Sequence, residues 1–83
     1  MKKVLRFTAK WCQPCKIYAP IFEKVASEIP GVTFETIDID AGDPRVMEYG
    51  VRSIPTTIIL NMGEVMDRET GVVSEQRLKQ MIR

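Results

Sequence analysis

Residues 11 to 15, Trp-Cys-Gln-Pro-Cys, contain both cysteines of this chain and lie where a strand-forming run gives way to a helical pattern. Cysteines separated by two residues at the start of a helix fall on neighbouring points of its first turn. Their Cα atoms can then approach to the ~4.4–6.8 Å that a disulfide requires. The stretch therefore predicts a redox-active dithiol. A structural disulfide, half of a metal site and two incidental thiols are the competing interpretations.

The positions of the two cysteines in the predicted helix indicate different roles. Cys12 comes first, where unpaired backbone N–H groups and the positive end of the helix dipole stabilise an anion, so we predict that Cys12 is the nucleophile. Cys15 lies one turn deeper and is the predicted resolving thiol. Pro14 loses no helical hydrogen bond in the first turn and stiffens the dithiol. Trp11 is predicted to offer a flat apolar surface beside the site; the alternative interpretation is a partly buried core aromatic, and both can hold at once.

Length and charge restrict the classes of protein to which the chain can belong. Its 83 residues are enough for one domain, which we expect to span residues 1–83. With 12 basic and 11 acidic residues the charge is nearly balanced, which gives no indication of a nucleic-acid or membrane-surface partner. No long apolar run follows the basic start of the chain, and none approaches the ~20 residues that cross a bilayer. We predict a soluble, cytoplasmic monomer, in which a permanent disulfide is disfavoured.

Strand and helix patterns alternate along the chain in the order β-α-β-α-β-β-α. Strands are predicted over residues 2–8, 32–39, 51–60 and 64–70, and helices between residue 11 and Pro30, from Asp43 to Gly50, and from Ser74 to the end. Pro20 lies inside the first helix and is expected to kink it near Lys16. The first β-α-β unit should be parallel and right-handed, whereas the last two strands form an antiparallel hairpin.

Residues 9–16, Ala-Lys-Trp-Cys-Gln-Pro-Cys-Lys, resemble the active-site segment of the thioredoxin family, with Gln13 in place of the usual glycine. The further matches, at the family's spacing, are Pro20, residues 49–56 leading into a cis-proline at Pro55, residues 61–65 and Gly71. The resemblance implies a minimal thioredoxin fold without the first strand and helix of full-length members. It predicts an α/β protein with a four-stranded mixed sheet and helices on both faces.

The resemblance also implies the activity of a protein disulfide reductase with a reversible Cys12–Cys15 disulfide. Cys12 would attack a substrate disulfide, and Cys15 would displace the reduced substrate. A flavoprotein of the thioredoxin-reductase type, drawing on NADPH, would reopen the bond, and the chain itself would bind no cofactor. Pro55 would face the dithiol, and the backbone of Ile54 would pair with an extended substrate segment next to Trp11.

Two positions depart from the family pattern. Arg6 occupies the place of a buried aspartate beneath the dithiol, and Thr36 occupies that of its lysine partner. If Arg6 points toward the site, its charge favours the Cys12 thiolate and makes the couple more oxidising. The alternative is that Arg6 extends to solvent or pairs with Asp38. Gln13, between the thiols, is also expected to adjust the redox potential.

Other functions of the two thiols make different demands on the sequence. A glutaredoxin-like electron donor generally has a Cys-Pro-aromatic-Cys site and a glycine-aspartate motif after the hairpin, where residues 71–74 read Gly-Val-Val-Ser. A second alternative is a glutaredoxin-like protein that is nevertheless reduced by thioredoxin reductase. A zinc or iron-sulfur module would need a dimer, because two cysteines and no histidine cannot complete a four-ligand site; we expect no metal. A purely structural bridge across so short a loop adds little stability.

Overall fold

Strand β1 (Lys2–Thr8) lies inside a four-stranded sheet in the computed structural model, which describes residues 1–83. The other strands are β2 (Thr33–Asp38), β3 (Thr56–Asn61) and β4 (Glu64–Thr70), and the order across the sheet is β2-β1-β3-β4. β1 pairs in parallel with β2 and antiparallel with β3, and β3 and β4 form an antiparallel hairpin. The predicted α/β class, element order and mixed sheet are confirmed.

Three α-helices connect or follow the strands: α1 (Gln13–Glu28), α2 (Arg45–Glu48) and α3 (Glu75–Ile82). α1 continues through Pro20 without interruption. The side chain of Ser74 accepts a hydrogen bond from the Arg77 N–H and caps α3, as its position in the sequence predicts. None of the helices combines the length and the apolar composition that crossing a bilayer would require.

Helices cover both faces of the sheet, because neighbouring residues of β1 point to opposite sides. Val4 faces α1 and α3, in a buried cluster with Tyr18, Phe22, Val25, Ile59, Val73, Leu78, Met81 and Ile82. Leu5 and Phe7 face α2, in what we name the α2-side cluster, whose other buried members are Ile37, Ile58 and Leu60. β1 is therefore covered on both faces, which explains why its apolar residues follow one another without alternating with polar ones.

The largest difference from the predicted elements lies before β3. The sequence predicts a strand over residues 51–60, but β3 begins only at Thr56. Pro55 has no N–H for a strand ladder and restricts the residue before it, so the preceding segment forms a loop. The prediction that Asp43 caps the second helix is wrong: the N-cap is Pro44, and α2 begins one residue later, at Arg45. Asp43 lies just before the cap, and its Oδ1 accepts a hydrogen bond from the Arg45 N–H at 2.9 Å.

Arg45 also links the start of α2 to β2 through two carboxylates. Its Nη2 lies 2.6 Å from Glu35 Oε2 and 2.8 Å from Asp43 Oδ2. Hydrogen bonds from the Arg45 side chain and backbone lower the pKa of Asp43 from its ordinary 3.8 to about 2. The same guanidinium holds the pKa of Glu35 below its ordinary value.

This ion-pair group should make the free energy of unfolding depend on pH in the acid range. A carboxyl group whose pKa is depressed by folding stabilises the fold above its ordinary pKa and loses that contribution as the pH falls toward the folded value. We therefore expect a loss of stability between about pH 4 and pH 2, smaller in Arg45→Met than in the wild type. Urea unfolding across this range measures it, with Arg52→Met, a change at an exposed arginine, as the control. Equal losses in all three proteins would contradict the role of Arg45.

Candidate active site

The two cysteines form a disulfide at the start of α1. Their Cα atoms are 5.3 Å apart, within the range predicted from their spacing. Cys12 is the N-cap residue of α1, and its Sγ accepts a hydrogen bond from the Cys15 N–H at 3.2 Å. Cys12 is 5% exposed and Cys15 only 2%. When the disulfide is open, the same N–H donor and helix N-terminus can stabilise a thiolate on Cys12.

The residues between and beside the cysteines leave the site open to solvent on one side. Gln13 and Pro14 are both exposed, and Pro14 lies in the first turn of α1, where it displaces no helical hydrogen bond. The disulfide and Ala9 form a third small cluster of buried residues, against which Ile39 and Ile54 pack. The disulfide is therefore buried from behind and bordered by exposed residues in front.

The loop before β3 lies against the disulfide. The Ile54-Pro55 peptide bond is cis, as the resemblance implies. The carbonyl oxygen of Ile54 is 3.8 Å from Cys12 Sγ, and the Ile54 side chain packs on the cysteine cluster. The Gly71 N–H donates a 2.7 Å hydrogen bond to the Pro55 carbonyl, which fixes this loop to the chain just after β4. Sequence positions 12 and 54 thus meet at the disulfide, and Gly71 holds the residue that follows Ile54.

Trp11 stands at the surface beside the disulfide. It is 65% exposed, and its indole N–H donates a 2.8 Å hydrogen bond to Asp40 Oδ2. The interpretation of Trp11 as a partly buried core aromatic is therefore wrong. Asp40 was not predicted as a site residue. Its place just beyond β2 was the available signal, because the carboxyl ends of the parallel strands β1 and β2 lie at the same edge of the sheet.

Arg6 is buried beneath α1 and is only 7% exposed. Its Nη2 and Nε donate to Thr36 Oγ1 at 2.8 and 3.2 Å, and its guanidinium carbon lies 4.8 Å from the centre of the Phe22 ring. The alternatives in which Arg6 extends to solvent or pairs with Asp38 are therefore wrong. Burial lowers the pKa of Arg6, and the charge of Glu23 partly opposes this shift. The guanidinium lies under the helix that bears the dithiol and forms no hydrogen bond with either sulfur.

A second buried polar contact lies next to Arg6. The hydroxyl groups of Tyr18 and Thr57 are 2.6 Å apart, and Thr57 pairs with Arg6 across the β1–β3 ladder. Burial raises the pKa of Tyr18. Neither Tyr18 nor Thr57 was predicted as a site residue. A buried tyrosine hydroxyl requires a partner, which was the signal that a polar residue of the sheet faces it.

The comparisons with known proteins agree with this geometry. The family model described as Thioredoxin matches residues 1–83. A thioredoxin of Mycoplasmoides gallisepticum is 40% identical over 82 residues, which are 99% of this chain and 82% of that protein. A thioredoxin of Chlamydia muridarum is 40% identical over 76 residues, which are 92% of this chain and 74% of that protein.

Solved structures show the same likeness. The X-ray structure of Fasciola hepatica thioredoxin superposes with a TM-score of 0.90 at 36% identity, covering 98% of this chain and 77% of that one. A thioredoxin-2 described as a component of malaria parasite protein secretion machinery gives a TM-score of 0.92 at 28% identity, covering 99% and 81%. The chain belongs to the thioredoxin family and is a thiol–disulfide oxidoreductase with a Cys12–Cys15 redox pair.

Proposed function

We propose that the chain is a protein disulfide reductase in which Cys12 attacks and Cys15 resolves. The observation that supports these roles most directly is the position of Cys12 as the N-cap of α1, with the Cys15 N–H directed at its sulfur. Backbone donors at a helix N-terminus favour the thiolate, which is the nucleophile in disulfide exchange. Cys15 lies inside the first turn and is the more buried of the two.

The proposed exchange moves two electrons to the substrate in two displacements. The Cys12 thiolate attacks one sulfur of the substrate disulfide, and the other substrate sulfur leaves as a thiolate that takes up a proton. Cys15 then loses its proton and attacks the Cys12 sulfur. The second substrate thiolate leaves, and the Cys12–Cys15 disulfide forms. The substrate disulfide is reduced, and the chain's dithiol is oxidised.

We propose that Trp11 and the backbone of Ile54 form the substrate-binding surface, and that Pro55, whose side chain is less than 2% exposed, supports Ile54 from within. The N–H and C=O of Ile54 form no backbone–backbone hydrogen bond within the chain. Both groups are therefore available to an extended peptide that lies across the disulfide. Trp11 adds a large exposed apolar surface at the same edge. Gln13 and Pro14 complete the exposed border, and we assign them a role in shaping the site.

The shape of the molecule favours a protein as the substrate. Its one pocket, of about 270 Å³, is lined by residues including Met1, Leu60 and Met62, at the opposite end of the sheet from the disulfide. Both cysteines are buried, and the residues that border them, Trp11, Gln13 and Pro14, are exposed, so a loop or extended segment of another protein can approach Cys12 along this border. We further propose that residues 1–83 act as one cytoplasmic, monomeric domain, and that an NADPH-dependent flavoprotein of the thioredoxin-reductase type reduces it.

The electron source distinguishes this proposal from a glutaredoxin-like donor. Insulin reduction, followed as precipitation of the free B chain, should proceed with NADPH and thioredoxin reductase. It should stay near background with glutathione, glutathione reductase and NADPH. Activity with glutathione alone would overturn the proposed partner in favour of a glutaredoxin-like role. The reductase assignment would be overturned if the chain is inactive with both electron sources although dithiothreitol opens its disulfide.

A further inference from the structure

Arg6 is a buried positive charge without a carboxylate partner. Its hydrogen bonds go to the neutral hydroxyl of Thr36, and its other close contact is the Phe22 ring. It takes part in none of the ion pairs of the structure. Burial of an unpaired charge costs free energy, and an aromatic face and one hydroxyl offset only part of that cost. The field of this charge therefore remains largely uncompensated inside the protein.

The charge lies under the same helical stripe as the resolving cysteine. The buried residues of α1 are Cys15, Tyr18, Phe22 and Val25, which follow one another along one face of the helix. Arg6 stacks on Phe22. Phe22 lies seven residues beyond Cys15, so the two residues of the helix are separated by about 10 Å along its axis.

No neutralising group lies between the guanidinium and the disulfide along this stripe. Tyr18 is between them, and its hydroxyl is uncharged and bonded to Thr57. The carboxylate that acts most on Arg6 is Glu23, which is exposed to solvent. Interactions through the protein interior are screened less than interactions across water. The stripe from Arg6 to the dithiol consists of buried side chains, and we expect the field of Arg6 to act on the sulfurs along it.

We propose that the buried charge of Arg6 raises the reduction potential of the Cys12–Cys15 couple. Reduction adds two electrons to the disulfide and, where Cys12 remains a thiolate, one proton, which goes to Cys15. The disulfide is uncharged, whereas this reduced form carries one negative charge. A nearby cation stabilises the charged form only, so it makes the couple more oxidising. Arg6 is thus a positioning residue, because it acts on the reacting sulfurs without contacting them.

The test is the equilibrium of the couple with glutathione or dithiothreitol buffers of stepped ratio at one pH. Arg6→Gln removes the charge and retains a donor for Thr36, and Arg6→Met removes both. We expect each variant to shift the equilibrium constant three- to tenfold toward the disulfide, or roughly 15–30 mV, for a single charge that acts on the Cys12 thiolate through the protein interior. Arg6→Lys retains the charge and should stay within about twofold of the wild type. Arg83→Met removes an exposed charge and is the matched control.

Each outcome distinguishes a charge effect from a packing effect. Circular dichroism shows which of Arg6→Gln and Arg6→Met are folded. An unchanged reduction potential in a folded variant overturns the proposal. A shift in Arg6→Lys as large as in Arg6→Gln also overturns it, because the charge is then not the cause. Thr36→Val removes the hydroxyl and leaves the charge, so its potential should match the wild type.

This inference rests on the proposed redox role of the two cysteines, and the same titration separates the two. A wild-type chain whose disulfide does not follow the buffer ratio contradicts the proposed function itself. A wild-type chain that titrates as a two-electron couple, with a potential indifferent to Arg6, contradicts only the inference.

Discussion

Cys12→Ser is expected to reduce the rate of insulin reduction to the uncatalysed background. A serine hydroxyl at the N-cap can accept the Cys15 N–H, so the helix start should persist. It does not ionise near neutral pH and cannot form the mixed disulfide, so the first displacement is lost and not merely slowed. The measurement is the precipitation rate with NADPH and thioredoxin reductase. The reduced wild type is the matched reference for folding, because it too lacks the bridge.

Cys15→Ser should fail in a different way, and this difference tests the two roles. The variant retains Cys12 and should still attack the substrate, but no thiol remains to displace it. A mixed disulfide should accumulate, visible as a mass increase of one substrate that disappears on treatment with dithiothreitol. Accumulation with Cys12→Ser and none with Cys15→Ser would reverse the assignment of nucleophile and resolving thiol.

The features that the sequence predicted correctly depend on local geometry. The spacing of Cys12 and Cys15 determines their separation in the first turn of a helix, whatever the rest of the chain does. The apolar run of β1 requires cover on both faces, which places that strand inside the sheet. Short-range physics was therefore enough to predict the disulfide distance, the parallel pairing of the first two strands and the antiparallel hairpin, whereas the four-stranded sheet with helices on both faces was implied by the resemblance to the family.

The features that it missed depend on contacts between distant segments. The pattern from Val51 to Leu60 is that of one continuous strand, yet its first half is a loop. The guanidinium of Arg68, on β4, donates to the carbonyl oxygens of Tyr49 and Gly50 and ties the start of this loop to the sheet. Such bonds join positions about twenty residues apart, so the periodicity of residues 51–60 alone cannot predict them.

Arg6 shows the same limit at a single side chain. The sequence allowed it to face the dithiol, the solvent or Asp38. The choice was decided by Phe22, which lies over the guanidinium from α1, and by Thr36, which pairs with Arg6 across the β1–β2 ladder. Neither partner is close to Arg6 in the chain. Its position could be inferred by resemblance to the family, whereas its contacts required the structure.

Phe7→Ala is expected to lower the free energy of unfolding by about 3–5 kcal/mol, as for other large-to-small changes at fully buried aromatic residues. Phe7 is 0% exposed, and its ring meets that of Tyr49 edge to face at 6.4 Å. A chain of this size has a total stability of only about 4–12 kcal/mol, so the variant should be near the limit of folding. Urea unfolding measures the loss. Val65→Ala, at a half-exposed position of β4, should cost less than about 0.5 kcal/mol.

Phe7→Ala should also reduce activity, through its effect on the substrate-binding loop. The side chains of Val51 and Ile54 pack against the α2-side cluster, to which Phe7 contributes its largest side chain. A cavity at Phe7 removes part of the support beneath Ile54, whose backbone is proposed to pair with the substrate. At a temperature where the variant is folded, the KM for insulin should therefore rise, while the equilibrium of the Cys12–Cys15 couple stays near the wild-type value. A change in that equilibrium with no change in KM would show that the α2-side cluster supports the dithiol and not the loop.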